Sequence, residues 1–358
     1  YVWSGAIFDA DHLRLMPLVF GVISAWLLYV VVRRRVGVRA AAIATALYSI
    51  SMYSVLASLM LDMDGTILPT FFLAAGYAYD RFLEAENRRR KALWLWGIIG
   101  AVMLGFLTKL SFVLVPVALA LDYLWSIRDR LTKRVIAYAS VGLILVSAAF
   151  AASLLVADAL LSAFSLGPTI EHAASYANFA GRGYLQIVIQ GVKAVFYLSP
   201  LLLLAPLFVS RDLLEKNRIF VIYGALGFVF YFILFDFSQG ALDKYLMYSI
   251  VSLAALAGSA IARVLHGRPR SELLRGTLLG GVISVALIAI ADLPHDVIPL
   301  YPKTAFVDAV VSGHWNILMP FTGGNGPLGF YMSFLMMAAA FIASVIIAAI
   351  GWFRRTFE

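Results

Sequence analysis

Apolar runs too long to be covered by a water-soluble fold recur along the whole chain, and this feature constrains its architecture most. Eleven such runs stand at about 15–32, 40–60, 66–79, 93–107, 110–125, 135–156, 195–209, 219–235, 245–262, 277–291 and 328–353. A helix needs about 20 apolar residues to cross a bilayer core, where every backbone polar group must be satisfied within the segment. The runs therefore read as membrane-spanning helices, the shorter ones tilted against neighbours or partly re-entrant. Of 358 residues 62% are hydrophobic and only 13% charged, too few charges for the surface of a soluble domain of that size. The runs are continuous rather than alternating, so strands are not expected. The expected fold is all-α, one polytopic transmembrane domain of about 11 spans over 1–358.

The cations give the runs an orientation. Twenty-two of the 28 Lys and Arg residues fall in alternate loops: Arg33–Arg35 and Arg39, Arg81 and Arg88–Lys91, Arg128–Arg134, Arg211–Arg218, Arg263–Arg275, and Arg354–Arg355. The positive-inside rule makes these loops cytoplasmic, with the N-terminus of the chain outside and the C-terminus inside. The net charge of +8 is thus placed for membrane topology, and no nucleic-acid partner is implied. No cysteine is present, which excludes disulfides and thiolate metal sites. The chain opens at Tyr1 without a signal-peptide pattern, and a further span upstream is expected. The opposite face holds two long loops, about 165–193 and 292–326, whose Pro168, Gly181, Gly183, Pro294, Pro320, Gly323 and Gly324 are expected to break any helix.

On that cation-poor face stand Asp62 and Asp64, between two apolar runs. An ionised Asp at mid-bilayer costs about 2.5–3.5 kcal/mol even on the most lenient scale, so a pair is expected at a membrane boundary or in a wet cavity. The Asp-x-Asp spacing suits a shared hard cation, Mg or Mn, or the grip of a sugar hydroxyl. The plainer reading is a helix start, with Asp64 or Thr66 as N-cap before the next run. Lys109, in the tight connection of Gly105-Phe-Leu-Thr-Lys-Leu-Ser111, is either a snorkelling interfacial lysine or a fixed cation for an anionic headgroup. Lys244 and Tyr245 open a later run and double as ordinary interface anchors. Arg14 precedes the first run, and Arg182 lies between Gly181 and Gly183. Arg14, Lys109, Arg182 and Lys244 are four of the six cations on this face and could surround one phosphate. His172, His295 and His314 lack a second histidine at metal-ligand spacing and read as surface residues. Trp94, Trp96, Trp125 and Trp352 read as an aromatic belt.

Leu61-Asp62-Met63-Asp64-Gly65, continuing through Phe71-Phe72 to Tyr77-Ala78-Tyr79, resembles the leucine–aspartate segment and following apolar helix of the dolichyl-phosphate-mannose protein mannosyltransferases. Trp96-Gly97-Ile98-Ile99-Gly100, Gly105, Lys109 and Asp122-Tyr123-Leu124-Trp125 look like the next paired spans of that family. Arg14-Leu-Met-Pro-Leu-Val-Phe-Gly21 is similar to the entry of its second span. Lys244-Tyr245 looks like the entry of a late span in the wider GT-C class, which includes the lipid A aminoarabinose transferases. The resemblance covers about residues 10–130. It implies an integral-membrane glycosyltransferase that moves a sugar from a polyprenyl-phosphate carrier to a protein, lipid or glycan acceptor on the outer face. Such enzymes use an Asp of the first outer loop as base, a role for which this chain offers Asp9 or Asp11. In the same scheme Asp62 and Asp64 orient the sugar or bind the ion, and Lys109, Lys244, Arg14 and Arg182, with Tyr245, hold the donor phosphate. The alternative is a non-catalytic membrane subunit or lipid-binding scaffold of a larger complex.

Overall fold

In a computed structural model, residues 10–59, 65–128, 165–175, 200–234, 247–266, 318–320 and 331–333 are described, with scattered positions between them. Helix follows helix: α1 (Ala10–Arg35), α2 (Val38–Ile50), α3 (Met52–Leu59), α4 (Ile67–Glu84), α5 (Arg88–Thr108) and α6 (Leu114–Ser126). Further along come α7 (Leu166–Ser175), α8 (Pro200–Leu204), α9 (Arg211–Lys216), α10 (Arg218–Leu234) and α11 (Ser249–Val264). The class is all-α and polytopic, as the runs imply.

Two of these helices, α1 and α5, are long and apolar enough to cross a membrane. Their exposed sides show why the molecule is integral to one. On α5 Trp96 is 69% and Leu107 77% exposed, while Ala101, Val102 and Gly105 face the protein. On α1 Leu18, Val22 and Trp26 point outward and Leu28, Val31 and Val32 inward. A helix that is apolar on both its packed and its open side requires hydrocarbon on the open side.

Between the helices small residues set the spacing. A Cβ on Gly258 of α11 would stand 2.6 Å from the Ala44 nitrogen and 2.7 Å from the Ala40 carbonyl oxygen of α2. The Ala40 and Ala44 backbone lies directly against Gly258 there, the usual way helices associate where no water drives them together.

The boundaries depart from the sequence reading in four places. The run at 40–60 is divided at Ser51, whose backbone is extended (φ −62°, ψ 130°), into α2 and α3. The run at 110–125 opens as a 3₁₀ turn, Leu110–Val113, before α6. The loop at 165–193 holds a helix, α7, in spite of Pro168. Proline is tolerated there because it stands in the first turn, where the N–H has no intrahelical acceptor; the Asp158 Oδ1 accepts from the Leu166 N–H at 2.8 Å. Finally, Leu318–Pro320 and Tyr331–Ser333 form an antiparallel ribbon, with Met319 opposite Met332. Strands were not expected, and the second of these occupies the start of the run at 328–353.

Candidate functional site

The helices have two polar ends, and they are built differently. At one end the C-termini of α1, α4, α6 and α11 meet the N-terminus of α10 in a mesh of ion pairs. Arg35 clasps Asp80 through both carboxylate oxygens, its Nε donating to Oδ2 at 2.8 Å. Arg34 pairs with Glu84. Asp122, 2% exposed, accepts from the Tyr79 hydroxyl at 2.8 Å and from the Arg218 Nε at 2.6 Å. The Asn217 amide donates to the Ser259 hydroxyl at 3.0 Å. Buried carboxylates survive here because each faces a guanidinium and further donors satisfy the remaining lone pairs. Apart from Asp122, quoted only within the resemblance, none of these acids was singled out from sequence.

The other end gathers the segments that border the predicted site. Gly65 follows Asp64 directly. A Cβ added to it would collide with Ala57 of α3 and would lie 3.2–3.3 Å from Met247, three residues after Lys244. The Tyr48 hydroxyl donates to the Gly65 carbonyl at 3.3 Å, and the Ser24 hydroxyl to the Thr66 carbonyl at 3.0 Å. Thr70 adds a bond to Ser24 (2.7 Å), so α1, α2 and α4 hold this turn by hydroxyls rather than charges. Thr66 occupies the N-cap position of α4 but makes no side-chain capping bond, so a cap role does not account for it.

Lys109 closes α5. Its backbone is extended (φ −161°, ψ 138°), its N–H donates to the Gly105 carbonyl at 3.1 Å, and its carbonyl accepts from the Phe112 N–H at 3.1 Å. Gly105 is required by the ring of Phe112, which occupies the volume that a Cβ would take. Two residues on, Ser111 is hydrogen-bonded to the Tyr231 hydroxyl at 3.1 Å. Tyr231 packs on Tyr248 with ring centroids 5.1 Å apart. Tyr248 meets Tyr223 edge-on at 5.7 Å, and Tyr223 stacks on Phe72 of α4 at 3.9 Å. This aromatic column, invisible in the sequence, ties the Lys109 turn to the turn that leads into α11 and to α4. The turns flanking Asp64, Lys109 and Tyr245 thus share one end of the bundle.

Lys109 is half-buried. Asp11 and Arg14 lie on the first turns of α1, which begins at Ala10, and Arg14 directly precedes the apolar span that starts at Leu15. Asp9, Asp62, Asp64, Arg182, Lys244 and Tyr245 lie outside the described residues. Among the described residues no group of three or more His, Asp or Glu side chains is placed to hold a metal ion. Trp94 lies edge-on to Tyr77 at 5.7 Å and beneath the Arg81 guanidinium at 5.3 Å.

Fold and exposed faces define the class, an integral polytopic helical membrane protein. Over residues 6–155 the chain matches the family model for dolichyl-phosphate-mannose-protein mannosyltransferase, so the resemblance to that family read from the motifs at about 10–130 is borne out. Among solved structures, the crystal structure of ArnT from Cupriavidus metallidurans bound to undecaprenyl phosphate is similar, with a TM-score of 0.48 and 19% identity. The match covers 96% of this chain and 61% of that one. No curated protein sequence matches the chain at a significant level.

Proposed function

We propose that this chain belongs to a membrane glycosyltransferase that takes a sugar from a polyprenyl-phosphate carrier and passes it to an acceptor hydroxyl at the Lys109 end of the bundle. One observation carries the reading: the turns that border Asp62-x-Asp64, Lys109 and Lys244-Tyr245 converge on that end, held by hydroxyls and an aromatic column. The family match over residues 6–155 includes the first two of these segments.

The chemistry needs a base for the acceptor proton and cations for the departing lipid phosphate. Stabilising the leaving group electrostatically is the larger contribution in such transfers, and it gains from a site that excludes water. In this reading one of Asp9, Asp11, Asp62 and Asp64 takes the proton. Asp62 and Asp64 orient the sugar, and a divalent ion held between them would add charge opposite the phosphate. Lys109 and Lys244, with Arg14, Arg182 and Tyr245, hold the phosphate. The lipid tail lies along the exposed apolar faces of neighbouring helices. By the positive-inside rule this end faces away from the cytoplasm.

The test is transfer from a labelled polyprenyl-phosphate sugar in nanodiscs. Asp62→Asn and Asp64→Asn are expected to lower turnover at least about a hundredfold, and Lys109→Ala by a similar factor, with expression intact. Unchanged turnover in all three variants would remove these residues from the site. Binding of the lipid carrier without any turnover would instead favour a non-catalytic subunit.

A further inference from the structure

The end opposite the Lys109 turn contains a cavity of about 470 Å³. It is walled by the α1–α2 connection, α9 and the last turns of α11, and its polar lining consists of Arg39, Asp212, Ser259, Arg263 and His266. That volume falls within the range of small-molecule sites. Nothing in the glycosyl-transfer reading uses it.

Three features give the cavity a sign. Arg39 and Arg263 both line it, from different helices. His266 accepts from the Arg39 guanidinium at Nε2, while its Nδ1 donates to the Ala262 carbonyl at 2.6 Å. The imidazole thereby ties the Arg39 guanidinium to the last turn of α11. The first turn of α2 forms part of the same wall, and its N-cap Gly37 has no side chain to satisfy the N–H groups there. One carboxylate opposes this, Asp212, which is engaged by Lys216 at 3.2 Å and by Arg263 at 3.6 Å. With Lys216 counted, three cations stand against that one acid. The cavity also opens among the basic loops, which the positive-inside rule makes cytoplasmic, and the cytoplasmic leaflet is the one that carries anionic lipids.

We propose that this cavity binds a phosphate group, that of an anionic phospholipid headgroup, with Arg39 and Arg263 as its ligands. Guanidinium groups suit the role because they present several donors in a fixed fork and stay charged under all conditions. Bound lipid there would link α2 to α9 and α11 across the connection at Gly37, whose φ of +130° only glycine adopts readily.

The purified chain in detergent micelles tests this through the shift in its thermal unfolding midpoint. It is titrated separately with short-chain phosphatidylglycerol, short-chain phosphatidylcholine and inorganic phosphate. Phosphatidylglycerol is expected to raise the midpoint and phosphatidylcholine to leave it unchanged. The Arg39→Gln/Arg263→Gln double variant should need about thirtyfold more phosphatidylglycerol for the same shift, at roughly 1 kcal/mol for each of the two cations. Val38→Glu tests the site without removing any ion pair. Val38 is an exposed lining residue at the first position of α2, where an acid is favourable to the helix but would repel a phosphate. Arg211→Gln, on the exposed side of α9 and paired along its own helix with Glu215 at 3.5 Å, should respond like the parent chain. A shift with inorganic phosphate alone, lost in the same variants, would assign the site to a soluble phosphate rather than a lipid and overturn the lipid assignment. Equal shifts with phosphatidylcholine, no shift with either anion, or a parent-like response of the double variant and of Val38→Glu would overturn the site itself.

Discussion

Asp122 lies between the Tyr79 hydroxyl and the Arg218 guanidinium, with its own carbonyl accepting a second bond from Arg218 at 3.2 Å. A carboxylate so placed is stable only while its partner remains. Removing Arg218 leaves a buried charge, whereas replacing both groups removes the need for either. Arg218→Ala is therefore expected to destabilise the protein by about 3–5 kcal/mol, read as a fall in the unfolding midpoint. Arg218→Leu combined with Asp122→Leu should recover most of that loss. If the double variant is no more stable than Arg218→Ala, the ion pair is not what sustains this end. At this scale the sequence was a partial guide. It marked Lys109 as a cation at a tight turn, and the structure shows the turn. It did not mark Asp80, and it gave Asp122 only within a family resemblance, because a single acid close to the end of an apolar run has the same appearance whether it faces water or an arginine from another helix.

Helices α2 and α11 illustrate the next scale. Their contact depends on Gly258, against which the Ala40–Ala44 backbone lies directly, so the neighbour cannot yield as a flexible side chain would. Gly258→Leu is expected to cost about 3 kcal/mol or more through forced separation of the two helices. Gly100→Leu, where a Cβ meets nothing within 4 Å, should be tolerated. Paired melting curves of the two variants check this, and equal destabilisation would contradict the packing account. Apolar periodicity could place α2 and α11 individually but could not pair them, since two alanine-rich helices carry no label of the partner they will meet. The divided run at Ser51 and the 3₁₀ opening of α6 were likewise illegible, because hydropathy does not register a local change in backbone dihedrals.

For the whole molecule, sidedness is the statement most open to test. The absence of cysteine makes the chain a clean host for single-cysteine labelling. Lys109→Cys and Asn87→Cys stand at opposite ends of α5, a helix of 21 residues and roughly 31 Å. A membrane-impermeant maleimide added outside intact cells is expected to label the first and not the second. The reverse pattern would invert the topology and move the proposed site to the cytoplasmic side.

The sequence by itself determined that the chain is helical, that it lives in a bilayer, and which connections carry the basic charge. These follow from transfer energetics that act residue by residue: apolar side chains leave water, and unpaired charges do not enter hydrocarbon. The tertiary structure decided which helices touch, which acids are paired with which arginines, and that the turns beside Asp64, Lys109 and Tyr245 meet at one end. Those outcomes depend on close approach between segments 40 to 200 residues apart, made possible by glycines and alanines whose role appears only once a partner helix lies against them.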